Sequence, residues 1–129
     1  MKLASLATCL AVLVLAPSAE AGRRFVENVT IVLNPGNSGS AVGAIGSVHN
    51  SPDADQFIQC ASIASQFGAF GFCQAHDVSG RDVTCSTTDP ALVAVIQSVG
   101  TDSRVSFEFE ASSCTSVLVF NGSTFERKR

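Results

Sequence analysis

The sequence predicts an α+β domain: an antiparallel sheet of about five to seven strands, one helix over residues 89–99 packed on one face, and two disulfides. Three observations carry this reading. Leu92, Val95, Ile96 and Val99 fall at i, i+3, i+4 and i+7, the apolar stripe of a helix. Val105, Phe107 and Phe109 alternate with Ser106, Glu108 and Glu110, the period of a strand with one face buried. Cys60, Cys73, Cys85 and Cys114 form an even set, as expected of a bridged exported domain.

The first 21 residues read as an export signal. Lys2 supplies a positive start, Leu3 to Ala16 an apolar run, and Ala19-Glu20-Ala21 the small residues a signal peptidase reads. The run is shorter than the roughly 20 residues that span a bilayer. Of the five cysteines, Cys9 leaves with this segment. The remaining residues, Gly22 to Arg129, form a single small domain with a loose tail at 121–129.

Along that domain, Phe25 to Leu33 is apolar at alternate positions and suits a half-buried strand. Asn34 to Ser40 is a turn-rich loop. Ala41 to Val48 reads as a strand weakened by Gly43 and Gly46. Phe57 to Ile63 and Phe70 to His76 are the next strands, joined through Ser65-Gln66-Phe67-Gly68. Asp77-Val78-Ser79-Gly80 is a tight turn, with Arg81 to Ser86 pairing back from it. Cys60, Cys73 and Cys85 then line up across neighbouring strands. Two pairings satisfy this alignment: Cys60–Cys73 with Cys85–Cys114, the first choice, and Cys73–Cys85 with Cys60–Cys114.

Asp89 caps the helix, Pro90 fits its first position, and Gly100 suits a left-handed end. The strand from Val105 follows, then a turn at Ala111-Ser112-Ser113-Cys114. Thr115 to Phe120 is apolar on both faces and so central. The expected core is Leu92, Val95, Ile96, Val99, Val105, Phe107, Phe109, Val117 and Val119.

Formal net charge is −3, with basic residues gathered at the ends: Arg23 and Arg24, then Arg127-Lys128-Arg129. An acidic body argues against nucleic-acid binding. The cysteines lack the C-x-x-C spacing of a zinc site. Asp53-Ala54-Asp55 places two carboxylates close together without the calcium-loop pattern. Nine Phe but no Trp or Tyr disfavour a sugar-binding groove. Asn28-Val29-Thr30 and Asn121-Gly122-Ser123 are glycosylation acceptors only in a pathway that glycosylates.

Asn34-Pro35-Gly36-Asn37-Ser38-Gly39-Ser40 resembles the nucleophile loop of trypsin-like serine proteases, which implies Ser38 as nucleophile. Ser40 departs from the second glycine of that loop, and no histidine precedes Ser38. The base would have to be His49 or His76 in reversed order, and a turn favours the same residue types. His76 and Asp77, adjacent in a strand, point to opposite faces.

A second resemblance rests on Asn50-Ser51-Pro52-Asp53, Ile58-x-Cys60, Cys73, Asp77-x-x-Gly80, Cys85, Asp89-Pro90 and Cys114. Over Gly46 to Ser123 the chain is similar to a group of small exported bacterial proteins with no assigned activity, departing at Gln59 and at the basic tail. The resemblance implies an exported two-disulfide domain and supplies no catalytic residue; no cofactor or metal is expected from the residues. The function expected is a secreted or periplasmic binding module for a protein or envelope component. A small serine hydrolase using Ser38 and an envelope-associated structural protein held by Arg127–Arg129 are the alternatives.

Overall fold

A computed structural model describes residues 24–125. The expected export signal at residues 1–21, Cys9 within it and the basic run at 127–129 lie outside the described residues. Among the described residues seven strands form one sheet: β1 (Thr30–Asn34), β2 (Ser38–Ala44), β3 (Phe57–Ser65), β4 (Gly68–His76), β5 (Asp82–Thr87), β6 (Ser103–Glu110) and β7 (Ser113–Asn121). Their spatial order is β1-β2-β6-β7-β5-β4-β3. Two helices, α1 (Ile45–Asn50) and α2 (Pro90–Ile96), accompany the sheet among the described residues. Ile58 on β3 packs close to Gly43 on β2, so the sheet curls its far strand back over the core.

The sheet is mixed, not purely antiparallel. Every neighbouring pair is antiparallel except β5 and β7, which run parallel through one register pair, Ser86 with Ser113. The cause is the crossover after β5. A seven-residue helix is about 10 Å long, close to two strand spacings. It carries the chain past one open slot before β6 begins. The β6–β7 hairpin then fills the slot, and reversing direction once more leaves β7 parallel to β5.

The second helix, α1, is a correction to the strand expected through Val48. Gly46, Ser47 and Val48 are buried in succession, which the two-residue alternation of a half-buried strand does not allow. Gly43 keeps the approach close: a Cβ there would stand 3.3 Å from Ile58 Cγ2. The N-cap is Ala44, without a side-chain cap, so the usual start signal is missing.

Helix α2 starts as expected. Asp89 Oδ1 accepts from Ala91 N–H (2.8 Å) and Leu92 N–H (3.2 Å), and Pro90 opens the first turn. It ends sooner than expected. Ile96 is the last helical residue, and turn bonds Ser98 N–H to Val95 O and Val99 N–H to Ile96 O follow. Gly100 does not have positive φ; its N–H donates to Ser103 Oγ. The buried face is Val93 and Ile96, with Leu92, Val95 and Val99 packed against it at the margin.

Ile96, Val105, Phe107, Phe109 and Val117 join the core as expected, and Ile31, Ala41, Ile58, Ala75 and Val83 extend it across the other strands. Beyond the sheet strands Phe25 bridges Phe125, and Phe25 N–H donates to Thr124 O. Residues 121–125 of the expected loose tail are thus paired, because Phe125 also meets Phe120 edge-on.

The Asp77–Gly80 turn is held by a buried carboxylate. Asp77, 1% exposed, accepts from Ser79 N–H, Arg81 N–H and Arg81 Nε, and its Oδ2 lies 2.6 Å from Arg81 Nη2. Burial pushes this carboxyl up, but the Arg81 guanidinium and the two backbone donors together hold it below its ordinary value of 3.8. A group with a depressed folded pKa stabilises the fold above its unfolded value, and that stability is lost as pH falls through the folded value. Wild-type stability should therefore drop on acidification below about pH 4. Asp77→Asn should weaken the domain by roughly 1–2 kcal/mol at neutral pH, a figure reduced by the exposure of Arg81. The variant should also flatten the acid limb of a stability–pH profile measured by urea unfolding. An unchanged acid limb would assign that loss to other carboxylates.

Candidate functional site

Two open grooves flank the helix side and the turn end of the sheet. The first, about 650 Å³, lies between the β3–β4 turn and α2 and is lined by Phe67, Phe70, Pro90, Val93 and Ala94, among others. The turn that builds it is Ser65 to Gly68, closed by Ser65 Oγ, which donates to Gly68 O and accepts from Phe67 N–H. Gly68 takes φ +123°, a conformation that frees the chain to reverse within two residues. The reversal drives Phe67 outward, and it is 91% exposed. The groove floor is aliphatic because Val93 and Ile96 pack down onto β4, where Gly71 leaves room for the Ile96 side chain.

The second groove, about 560 Å³, lies where the β1–β2 and β6–β7 turns approach β5, and Ser38, Asn34, Asn37, Asp82 and Thr84 line it. Ala111 N–H donates to Asn37 O, tying the two turns together. Gly36 and Asn37 both take positive φ, so the Asn-Pro-Gly-Asn stretch serves as the hairpin turn between β1 and β2. Ser38 is the first residue of β2, opposite Asn34 and Glu110.

Neither histidine lines this groove. His49 sits in the last turn of α1. His76, at the end of β4, stacks on Phe57 at 5.9 Å and places Nδ1 3.4 Å from Asp82 Oδ2. Asp82 borders the groove that holds Ser38, and the imidazole, on the register partner of Asp82, stacks toward β3 outside the groove lining. The Asp53 carboxylate accepts from Asp55 N–H, closing its own loop. Among the described residues, no three His, Cys, Asp or Glu side chains converge as a metal site.

The four cysteines are brought together. Cys60 is bonded to Cys73 and Cys85 to Cys114, with Cα–Cα distances of 4.1 and 5.0 Å. No family model, curated protein or solved structure matches the chain. The site therefore rests on geometry. Among the described residues no helix is long and apolar enough to cross a bilayer.

The sequence did not single out Phe67. It stood in a four-residue connection, and only the positive φ of Gly68 shows that its ring is thrown clear of the sheet. Gly after a Ser-Gln-Phe run was the available signal.

Proposed function

We propose that the chain is an exported, non-enzymatic binding module that takes an apolar group in the groove between the β3–β4 turn and α2. The observation that carries this is Phe67. A phenyl ring held almost fully in water at the lip of an apolar groove contributes nothing to folding, and it is placed to close over a ligand. The groove volume lies in the range of small-ligand sites. Two disulfides support an oxidising compartment, in keeping with the export signal read at residues 1–21.

The test is a titration of the oxidised protein with an anilinonaphthalene sulfonate dye, comparing wild type with Phe67→Ser. Loss of the ring should weaken binding about tenfold, equivalent to ~1.4 kcal/mol, with the melting temperature unchanged. Equal affinities would remove the groove from consideration. A fluorophosphonate probe on the same sample checks the serine-hydrolase reading. No labelling is expected, since neither histidine lines the groove that holds Ser38; stoichiometric labelling lost in Ser38→Ala would replace the binding reading with a catalytic one.

A further inference from the structure

The four cysteines stand on four consecutive strands of the sheet, β3, β4, β5 and β7. Cys73 is the register partner of Cys60 on one side and of Cys85 on the other. It is bonded to the first and free to reach the second. The Cα–Cα distance of 4.1 Å to Cys60 marks the narrow, non-hydrogen-bonded pair of the ladder. Cys73 then faces Cys85 across the wide pair, at about 5.5 Å, within the span a disulfide bridges.

The geometry points to a thiol–disulfide relay running across the sheet from Cys60 to Cys114, with an external thiol as its co-reactant. Cys60 is partly exposed on the terminal strand, so a thiolate approaching from the open edge meets its sulfur opposite the Cys73 leaving group. Attack there forms a mixed disulfide on Cys60 and releases the Cys73 thiolate. That thiolate attacks the Cys85 sulfur from the β4 side, while Cys114 leaves on the β7 side, the in-line arrangement that exchange requires. A Cys73–Cys85 bond forms, the Cys85–Cys114 bond breaks, and the Cys114 sulfur takes a proton from water. One external thiol is consumed and one protein thiol appears; the number of disulfides is unchanged.

The environment of the two ends drives the transfer outward. Cys73 is 0% exposed among apolar neighbours, where a thiolate is poorly solvated. Cys114 borders an open cavity of about 440 Å³ whose walls include Ser86, Thr87, Thr88 and Ser113. Exchange therefore replaces a thiolate sealed in the core with a thiol, 6% exposed, at the wall of that cavity. The same steps run backwards when a thiol enters through that cavity and attacks Cys114.

The oxidised protein is treated with reduced glutathione, quenched in acid, blocked with N-ethylmaleimide and mapped by mass spectrometry without reduction. In the singly glutathionylated fraction the adduct should sit on Cys60, the maleimide on Cys114, and a new bridge between Cys73 and Cys85. An adduct on Cys114 with the maleimide on Cys60 is the reverse passage and equally supports the relay. Maleimide on Cys73 with Cys85–Cys114 intact overturns it, and so does a failure of glutathione to open either end. Cys60→Ser gives an independent measurement without added thiol: maleimide should divide between Cys73 and Cys114. Label confined to Cys73 in folded Cys60→Ser also overturns the relay.

Discussion

Phe107→Ala is expected to cost roughly 3–5 kcal/mol, the range for truncating a buried aromatic side chain. Phe107 is 1% exposed on β6, between Ala41 of β2 and Val117 of β7, and its ring meets Phe109 at 6.4 Å. The neighbours that would have to collapse into the space are strands paired on both sides. Backbone hydrogen bonds fix their spacing, so most of the cavity should persist. Domains of this size are stable by about 5–15 kcal/mol, and the loss takes a large fraction of that. Urea unfolding of Phe107→Ala should show a sharply lower midpoint with little change in slope. Phe67→Ala serves as the control. The same atoms are removed from a ring already in water, and its midpoint should move by no more than ~0.5 kcal/mol. A Phe107→Ala loss near that of the control would mean that the β2–β6–β7 core is not what holds the fold.

Those two phenylalanines also mark how far the sequence could be read. Phe107 sits in the period-2 run from Val105 to Phe109, and one buried face imposes that period directly on the residues. The β4–β5 hairpin was equally legible, since its turn, Asp77 to Gly80, carries its own chemistry in Asp77 and Gly80. Once the turn is placed, Cys73 must face Cys85, and Cys60 follows through the β3–β4 hairpin. What escaped was long-range. Helix α1 begins at Ile45 behind an Ala44 N-cap with no capping side chain, and it is helical because Gly46, Ser47 and Val48 must all be covered at once by β2, β3 and β6. No local pattern encodes that. The slot that makes β7 parallel to β5 depends on where α2 lands. Gly100 looked like a helix end by residue type alone, but Ser103 Oγ takes its N–H and the helix has already closed at Ile96. Phe67 reads as a loop residue until its neighbour's backbone is known.

The sheet is two antiparallel halves, β1-β2-β6-β7 and β5-β4-β3, and the seam between them is thin. One register pair, Ser86 with Ser113, joins the strands there, and Ser86 N–H donates to Ser112 O at 2.9 Å. Helix α2 packs on both sides of the seam, touching β4 and β7. The Cys85–Cys114 disulfide crosses it covalently, with both residues buried. Its cysteines are 29 residues apart in sequence, against 13 for Cys60–Cys73. Chain-entropy arguments then assign roughly 3.5 kcal/mol to the longer link and roughly 3 to the shorter. The difference at the seam should be larger than this, because Cys60 and Cys73 lie in a fully paired β3–β4 hairpin that holds its register without them. Cys85→Ser with Cys114→Ser should therefore destabilise the domain more than Cys60→Ser with Cys73→Ser. Urea unfolding gives the two free energies, and native-state hydrogen exchange locates the damage. In the seam variant the Ser86 amide should lose protection before the amides of the β3–β4 ladder do. If Ser86 stays as protected as in wild type, the packing of α2, together with that of α1 and of β3 on β2, holds the halves together. The disulfide would then act only on the unfolded chain.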